Sequence, residues 1–338
     1  MQQTHYSQNK DQTTVTKPTI GVTAPARVPV VQTGSDIVDV ERLDRAYKTL
    51  SDLGWSIKEA ANVRRIYKGF AGDDISRAKG LESAFLDPQV DVVMGARGGY
   101  GTTRLLNLLD WETLVQSNAV FVGLSDLTAI NMALMRYERA SWQGPVITGF
   151  AKEGAPCAAS FMRAMTEQSF ELQTRVSSDD LDTEGVLWGG NLSMLVSLLG
   201  TAYFPTQNQF ENGILFVEDI NEPAWRIERM LNQLILAGVL TRQQVLIVGD
   251  TTGHERWQGE GNAAFKLQDA LDYVQEKTGV KIITGLKFGH VSDTLTLPVG
   301  VGAKVQVKDG ILTIKVPDSP RPSEYPGAQT ANGPLWWV

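Results

Sequence analysis

The chain has 338 residues, more than one average domain and well suited to two, and its apolar share of 42% allows a core of ordinary size. A net charge of -7 spread thinly, with no lysine–arginine block, argues against nucleic acid or an anionic membrane surface as the main partner. A single cysteine, Cys157, excludes an internal disulfide framework, and no stretch approaches the roughly 20 apolar residues of a membrane helix.

Residues 1–17 are polar, rich in Gln and Thr, and read as a disordered leader rather than a secretory signal. Thr19 to Pro25 reads as a first short strand running into a loop. Asp39 to Leu53 has helical spacing and stops at Gly54, and Trp55-Ser56-Ile57 and Ile66 suggest another strand region. Asp74 to Phe85 is a helix, and Val90 to Met94 a buried strand that ends on glycines. A helix starts at Thr102, Ala119 to Val122 forms another apolar strand, and Leu127 to Tyr137 another helix. This alternation implies βαβ units and a largely parallel sheet over 18–150, of the Rossmann or flavodoxin kind. The pattern weakens over 151–185, which reads as a crossing between domains, with Cys157 a small packed residue.

The second half, 186–317, resumes the alternation. Helices are expected at Asn191–Leu199, Trp225–Leu236 and Phe265–Thr278, and strands at Gly213–Val217, Val245–Gly249 and Val280–Thr284. Ala303 to Ile314 alternates in period two around Asp309-Gly310, a strong hairpin signal. The fold class is therefore α/β in two domains, the second ending in a hairpin. The Pro/Ser/Gly-rich stretch 318–338 reads as a surface strap.

Ligands of open parallel sheets bind at the carboxyl ends of strands, so the polar residues there are the candidates. They are Arg97-Gly98-Gly99-Tyr100-Gly101, then Ser125-Asp126, Glu218-Asp219 and Gly289-His290. Together they supply a nucleophile, a carboxylate and a base. Of three histidines, His5 falls in the leader and His254 in a polar stretch, so His290 is the best base; a buried structural histidine is the competing reading. Gly123 precedes Ser125 as a strand-to-helix elbow requires, but Leu127 breaks the Gly-x-Ser-x-Gly pattern. Ser125 or Asp126 serves equally well as a helix cap. The glycine cluster fits neither a dinucleotide fingerprint nor a Walker loop, and His254-Glu255 lacks the second histidine of a zinc motif.

These motifs together resemble the LD-carboxypeptidases. Ala96 to Gly101 with Arg104-Leu105-Leu106, and Gly123 to Thr128, are similar to that family's N-terminal half. Trp188-Gly189-Gly190-Asn191-Leu192-Ser193 is similar to its inter-domain glycine motif. Glu218-Asp219 with Glu222, and Gly289-His290 with Leu297 to Gly300, resemble its glutamate and histidine motifs. The resemblance spans about Pro18 to Pro317. It implies a Ser125–Glu218–His290 triad and an oxyanion hole from Asp126 with Gly98 or Gly99. It implies substrate contacts from Arg97, Tyr100, Arg104 or Asn191, and neither cofactor nor metal. It further implies a cytoplasmic homodimer that releases terminal D-alanine from murein tetrapeptides. A related branch, the microcin-immunity proteins, cleaves a peptidyl-nucleotide antibiotic. The 93 positions from Ser125 to Glu218 favour the murein branch, which lacks a longer insertion there. Two other readings compete: an α/β-hydrolase, against which Leu127 counts, and a periplasmic-type binding protein, against which the missing signal counts.

Overall fold

The computed structural model describes residues 17–34, 36–254 and 265–322. The first half folds as β1 (Thr19–Thr23), α1 (Val40–Asp52), β2 (Ser56–Glu59), α2 (Asp74–Leu86), β3 (Val92–Gly95), α3 (Trp111–Leu114), β4 (Val120–Gly123), α4 (Thr128–Arg136) and β5 (Ser141–Gln143). Every residue of β1, β3 and β4 is buried, as expected for parallel strands covered on both faces. Helix α1 starts where the Asp39 carboxylate accepts the Arg42 N–H at 3.0 Å, and α2 where Asp73 accepts the Ser76 N–H at 2.7 Å. Thr102–Leu108 winds as a 3-10 helix rather than an α-helix.

The chain continues through α5 (Ala158–Thr166), β6 (Phe170–Arg175), β7 (Leu181–Asn191), α6 (Leu192–Leu198), α7 (Gln207–Phe210) and β8 (Gly213–Glu218). Then come α8 (Ala224–Leu236), β9 (Gln243–Val248), α9 (Leu267–Thr278), β10 (Lys281–Thr284), β11 (Leu297–Val299), β12 (Val301–Lys308) and β13 (Ile311–Val316). Residues 151–185 thus hold a helix, an edge strand and the first half of β7. Their polar, half-exposed residues hid the strand because β6 lies at a sheet edge.

The strands form two sheets. The first runs β11-β5-β4-β3-β1-β2, with β5 through β2 parallel and β11 antiparallel. Its parallel part has the flavodoxin order, so the topological switch point lies between β1 and β3. The second runs β10-β9-β8-β7-β12-β13-β6; β7 to β10 are parallel and the rest antiparallel. The expected hairpin is β12–β13, which turns on Asp309 (φ 51°) and Gly310 (φ 70°), the two left-handed residues of a tight turn.

The halves are stitched together. Strand β11 comes from the C-terminal part yet pairs with β5, and Pro298 is tolerated because β11 is an edge. Beyond β13 the chain returns over the first sheet: Trp142 Nε1 donates to the Pro320 carbonyl at 2.7 Å, and Ser319 and Arg321 are buried. The leader up to residue 16 and the tail from 323 lie outside the described residues, as do His5 and Glu255.

Candidate active site

The ends of β3, β4 and β8 converge with the loop before β11 on one cavity of about 420 Å³, lined by Arg97, Gly98, Gly99, Ser125, Gly289 and His290 among others. The fold therefore brings together candidate loops that lie far apart in sequence.

Ser125 follows β4 with φ 64°, in the left-handed region that β-carbon-bearing residues rarely adopt. A sharp, strained turn of this kind projects a side chain out of the sheet. Neighbouring glycines make it possible. A β-carbon on Gly98 would lie 2.9 Å from Ser125 Cβ, and one on Gly123 2.7 Å from Leu127 Cβ. Leu127, where the elbow pattern wants glycine, fits because Gly95 on β3 leaves room for its side chain. Neither Ser125 nor Asp126 caps the following helix. The buried Asp126 carboxylate instead accepts the Thr102 N–H at 2.8 Å, tying the serine turn to the glycine loop. That loop is braced from below by Arg77, which is fully buried, donates to the Pro25 and Gly101 carbonyls and pairs with Asp74.

Glu218 ends β8 and is wholly buried. Its Oε2 lies 2.7 Å from His290 Nδ1, and its Oε1 accepts from Asn191 Nδ2 at 3.0 Å. Burial of the imidazole lowers its proton affinity, but the hydrogen bond and charge of Glu218, with Asp219 and Asp250 behind it, outweigh burial and raise the His290 pKa. Gly289 (φ 135°) is required here, since a β-carbon would sit 3.1 Å from Glu218 Oε2. Asp219 accepts from the Ser193 N–H and hydroxyl at 2.8 and 2.7 Å, fixing the start of α6.

The other candidates divide. Arg97 lines the cavity, with its Nη1 3.4 Å from the Val28 carbonyl. Gly98 and Gly99 line it too. Asn191 does not line it. Its side chain is spent on Glu218 and on the Met194 N–H at the start of α6, and its own N–H donates to Thr128 Oγ1 at 3.1 Å. Arg104 is held by Asp74 through Nε at 3.0 Å and Nη2 at 2.7 Å, and Tyr100 packs on Phe70 at 5.7 Å; both stand outside the lining. Their place beside the glycine motif in sequence does not carry them into the cavity, because the chain turns at Gly99 and Gly101. Cys157 is buried and lines the cavity, but burial pushes its thiol up to about 11, so it stays protonated. His254 Nδ1 is bound to the Thr251 carbonyl at 3.0 Å, away from the cavity. Among the lining residues the sequence did not single out are Arg42 on α1, Lys152 before α5, and Val291, Ser292 and Thr294. Among the described residues no group of His, Cys, Asp and Glu could hold a metal ion.

Two family models match the chain: LD-carboxypeptidase N-terminal domain over residues 20–144 and LD-carboxypeptidase C-terminal domain over 184–305. A probable murein peptide carboxypeptidase of Bacillus subtilis (strain 168) is 30% identical across 88% of this chain and 91% of its own length. The microcin C7 self-immunity protein of Escherichia coli is 23% identical across 67% and 74%. The crystal structure of muramoyltetrapeptide carboxypeptidase from Oxalobacter formigenes matches with a TM-score of 0.79 at 34% identity, over 89% of this chain and 99% of that one.

Proposed function

Because the chain belongs to the LD-carboxypeptidase family, we propose that it is a serine carboxypeptidase that hydrolyses the L,D bond releasing terminal D-alanine from murein tetrapeptides. The observation that carries the catalytic reading is that His290, held by the wholly buried Glu218, lines the same cavity as the strained Ser125.

With Nδ1 engaged by Glu218, the neutral imidazole carries its proton there and leaves Nε2 as the acceptor. Ser125 Oγ attacks the carbonyl of the residue before D-alanine while His290 takes the hydroxyl proton. His290 then returns that proton to the leaving amine, and water repeats the cycle on the acyl-enzyme. Glu218 orients the ring and stabilises its cation. The Asp126 N–H with that of Gly98 or Gly99 receives the oxyanion; each such donor is worth about 3 kcal/mol of barrier. Arg97, unlike Arg104, stands in the cavity where the free carboxylate of the leaving residue must lie.

We place the reaction in the cytoplasm, on recycled wall fragments, and assign the enzyme a homodimer without nucleic-acid or membrane partners. No helix among the described residues is long and apolar enough to cross a membrane. The wider coverage of the murein relative favours that branch over peptidyl-nucleotide cleavage.

The test is incubation with L-Ala-γ-D-Glu-meso-diaminopimelate-D-Ala, read by mass spectrometry beside Ser125→Ala. Loss of one alanine by the wild type alone supports the reading. Cleavage by both proteins removes Ser125 from the mechanism. Cleavage by neither points to peptidyl-nucleotide substrates.

A further inference from the structure

Ser125 follows a strand of the first sheet and Glu218 ends a strand of the second, so one must be fixed against the other before they can act together. Buried polar groups cross the gap. Gln143, the last residue of β5, donates from Nε2 to Thr128 Oγ1 at 2.9 Å and reaches the Gly189 carbonyl at 3.3 Å. Thr128 starts α4, three residues after Ser125, and its Oγ1 accepts a second donor, the Asn191 N–H, at 3.1 Å. Asn191 ends β7 and holds Glu218 Oε1 from Nδ2 at 3.0 Å, while Glu218 Oε2 stands 2.7 Å from His290 Nδ1. Gln143, Thr128 and Glu218 are wholly buried, and Asn191 nearly so.

The backbone is shaped to let this seam close. Gly190 has φ 146°, and a β-carbon on it would lie 2.1 Å from Gln143 Nε2 and 2.8 Å from Thr128 Oγ1. The Gly189 carbonyl can only accept, which fixes the Gln143 amide with its nitrogen toward the seam. Its other end, Oε1, is buried without a hydrogen-bond partner among the described residues. An orphaned buried acceptor destabilises the fold, and an apolar side chain of similar size would avoid that loss, so the amide points to a role besides core packing. Both lone pairs of the Thr128 hydroxyl are likewise engaged, one by β5 of the first sheet and one by β7 of the second.

We propose that Thr128 and Gln143 are positioning residues: the Thr128 hydroxyl, clamped by Gln143, fixes Asn191, and through it Glu218 and His290, at working distance from Ser125. Neither residue lines the cavity, so their effect falls on the reacting groups and not on substrate binding. The kinetic consequence rests on the carboxypeptidase reading; the placement of His290 does not. A catalytic group misplaced by about 1 Å can lose about 100-fold in rate, which sets the scale of the effect.

The experiment uses variants that change one end of the seam at a time. Thr128→Val keeps the branched shape and deletes the acceptor. Gln143→Leu deletes the donor and the orphaned oxygen together. On L-Ala-γ-D-Glu-meso-diaminopimelate-D-Ala, each lowers kcat roughly 10- to 100-fold and leaves KM within about twofold. Thr128→Ser, which restores the hydroxyl, recovers most of kcat. Gln143→Leu loses rate without a lower denaturant midpoint, which separates positioning from loss of fold. Added to Asn191→Ala, Thr128→Val costs little more, because both act through one arm. Unchanged kcat in Thr128→Val and Gln143→Leu overturns the proposal. So does a loss carried by KM, no recovery in Thr128→Ser, a rate loss that comes only with a lowered midpoint, or full additivity with Asn191→Ala.

Should the wild type leave the peptide uncut, the carboxypeptidase reading fails, and NMR titration of His290 decides the positioning without substrate. Glu218, Asp219 and Asp250 face that ring, and together they outweigh its burial. In Thr128→Val the displaced Glu218 lets the His290 midpoint fall toward the ordinary histidine value of about 6.5, and Thr128→Ser restores it. That shift keeps the proposal for whatever reaction the site performs; an unmoved midpoint ends it.

Discussion

Ser125 and Glu218 end strands of different sheets, and they are held in place by different means. The serine turn is shaped by sterics: a left-handed backbone, glycines at 95, 98 and 123 where β-carbons would collide, and Leu127 wedged into the room they leave. The glutamate is shaped by hydrogen bonds, one carboxylate oxygen to Asn191 and the other to His290, with Asp219 and Asp250 close behind. A buried charge demands such partners, whereas a hydroxyl needs only to be aimed. The two ends meet at Thr128, on the serine's own helix: its Oγ1 accepts from the Asn191 N–H at 3.1 Å and from Gln143 Nε2 at 2.9 Å. Polar substitutions should therefore damage the acid–base end through chemistry, and steric ones the serine end through geometry.

The largest effect falls on the charge that holds the base. Glu218→Gln keeps the shape but removes the anion and no longer enforces the Nδ1–H tautomer, so kcat should fall by about 10⁴-fold. The pH profile sharpens this. In the proposed mechanism His290 accepts the serine proton only when neutral, and its pKa is raised, so wild-type activity fades as pH falls through a value above the usual histidine range. In Glu218→Gln the residual activity should show that acid limb moved to lower pH. An unmoved limb would mean that another group titrates. The same linkage gives a sign for stability: a raised histidine pKa contributes fully below about 6.5, and the contribution is lost as pH rises through the folded-state value.

Next in size is Asn191→Ala. It strips Glu218 Oε1 of its donor inside a wholly buried site, an omission worth about 1–3 kcal/mol. If the side chain positions the glutamate, kcat falls roughly 10- to 100-fold with little change in KM. A KM defect with kcat preserved would instead return Asn191 to the substrate.

The serine end can be probed without activity at all. Ser125→Ala and Ser125→Gly both lack the hydroxyl, but only glycine accepts φ 64° without a steric cost. Glycine should therefore be the more stable of the two by about 1 kcal/mol, measured by denaturant unfolding. Equal stabilities would show that the turn stores no strain and that the glycines around it merely fill space.

This division explains what the sequence could and could not reveal. The parallel strands β1, β3, β4, β8 and β9 are legible because continuous burial writes apolar runs, and the β12–β13 hairpin because its turn demands Asp-Gly. Ser125, Glu218 and His290 could be singled out because each follows such a run. Strands β5 and β11 were not legible: each has three residues, and they exist through a pairing of Gln143 with Leu297 far along the chain. Arg42 was not legible either, since on an amphipathic helix with a polar face it looks like any solvated cation until the fold turns it toward the cavity. Leu127 counted against a nucleophile elbow in sequence for the same reason. The compensating glycine, Gly95, sits on the neighbouring strand, not two positions along.

The smallest expected effect separates the two arginines of the glycine motif. Arg97 directly precedes the glycines and Arg104 stands three positions after Gly101, yet Arg104 is about half exposed and paired with Asp74 over the Phe70 ring. Exposed ion pairs are worth about 0.2–1 kcal/mol, and Asp74 keeps Arg77 as a second partner. Arg104→Gln should leave kcat/KM within about twofold of wild type and cost at most about 1 kcal/mol of stability, whereas Arg97→Gln should raise KM about 10-fold or more. A large kinetic defect in Arg104→Gln, with Arg97→Gln silent, would mean that the loop rearranges around substrate. The carboxylate would then be read on the far side of Gly101.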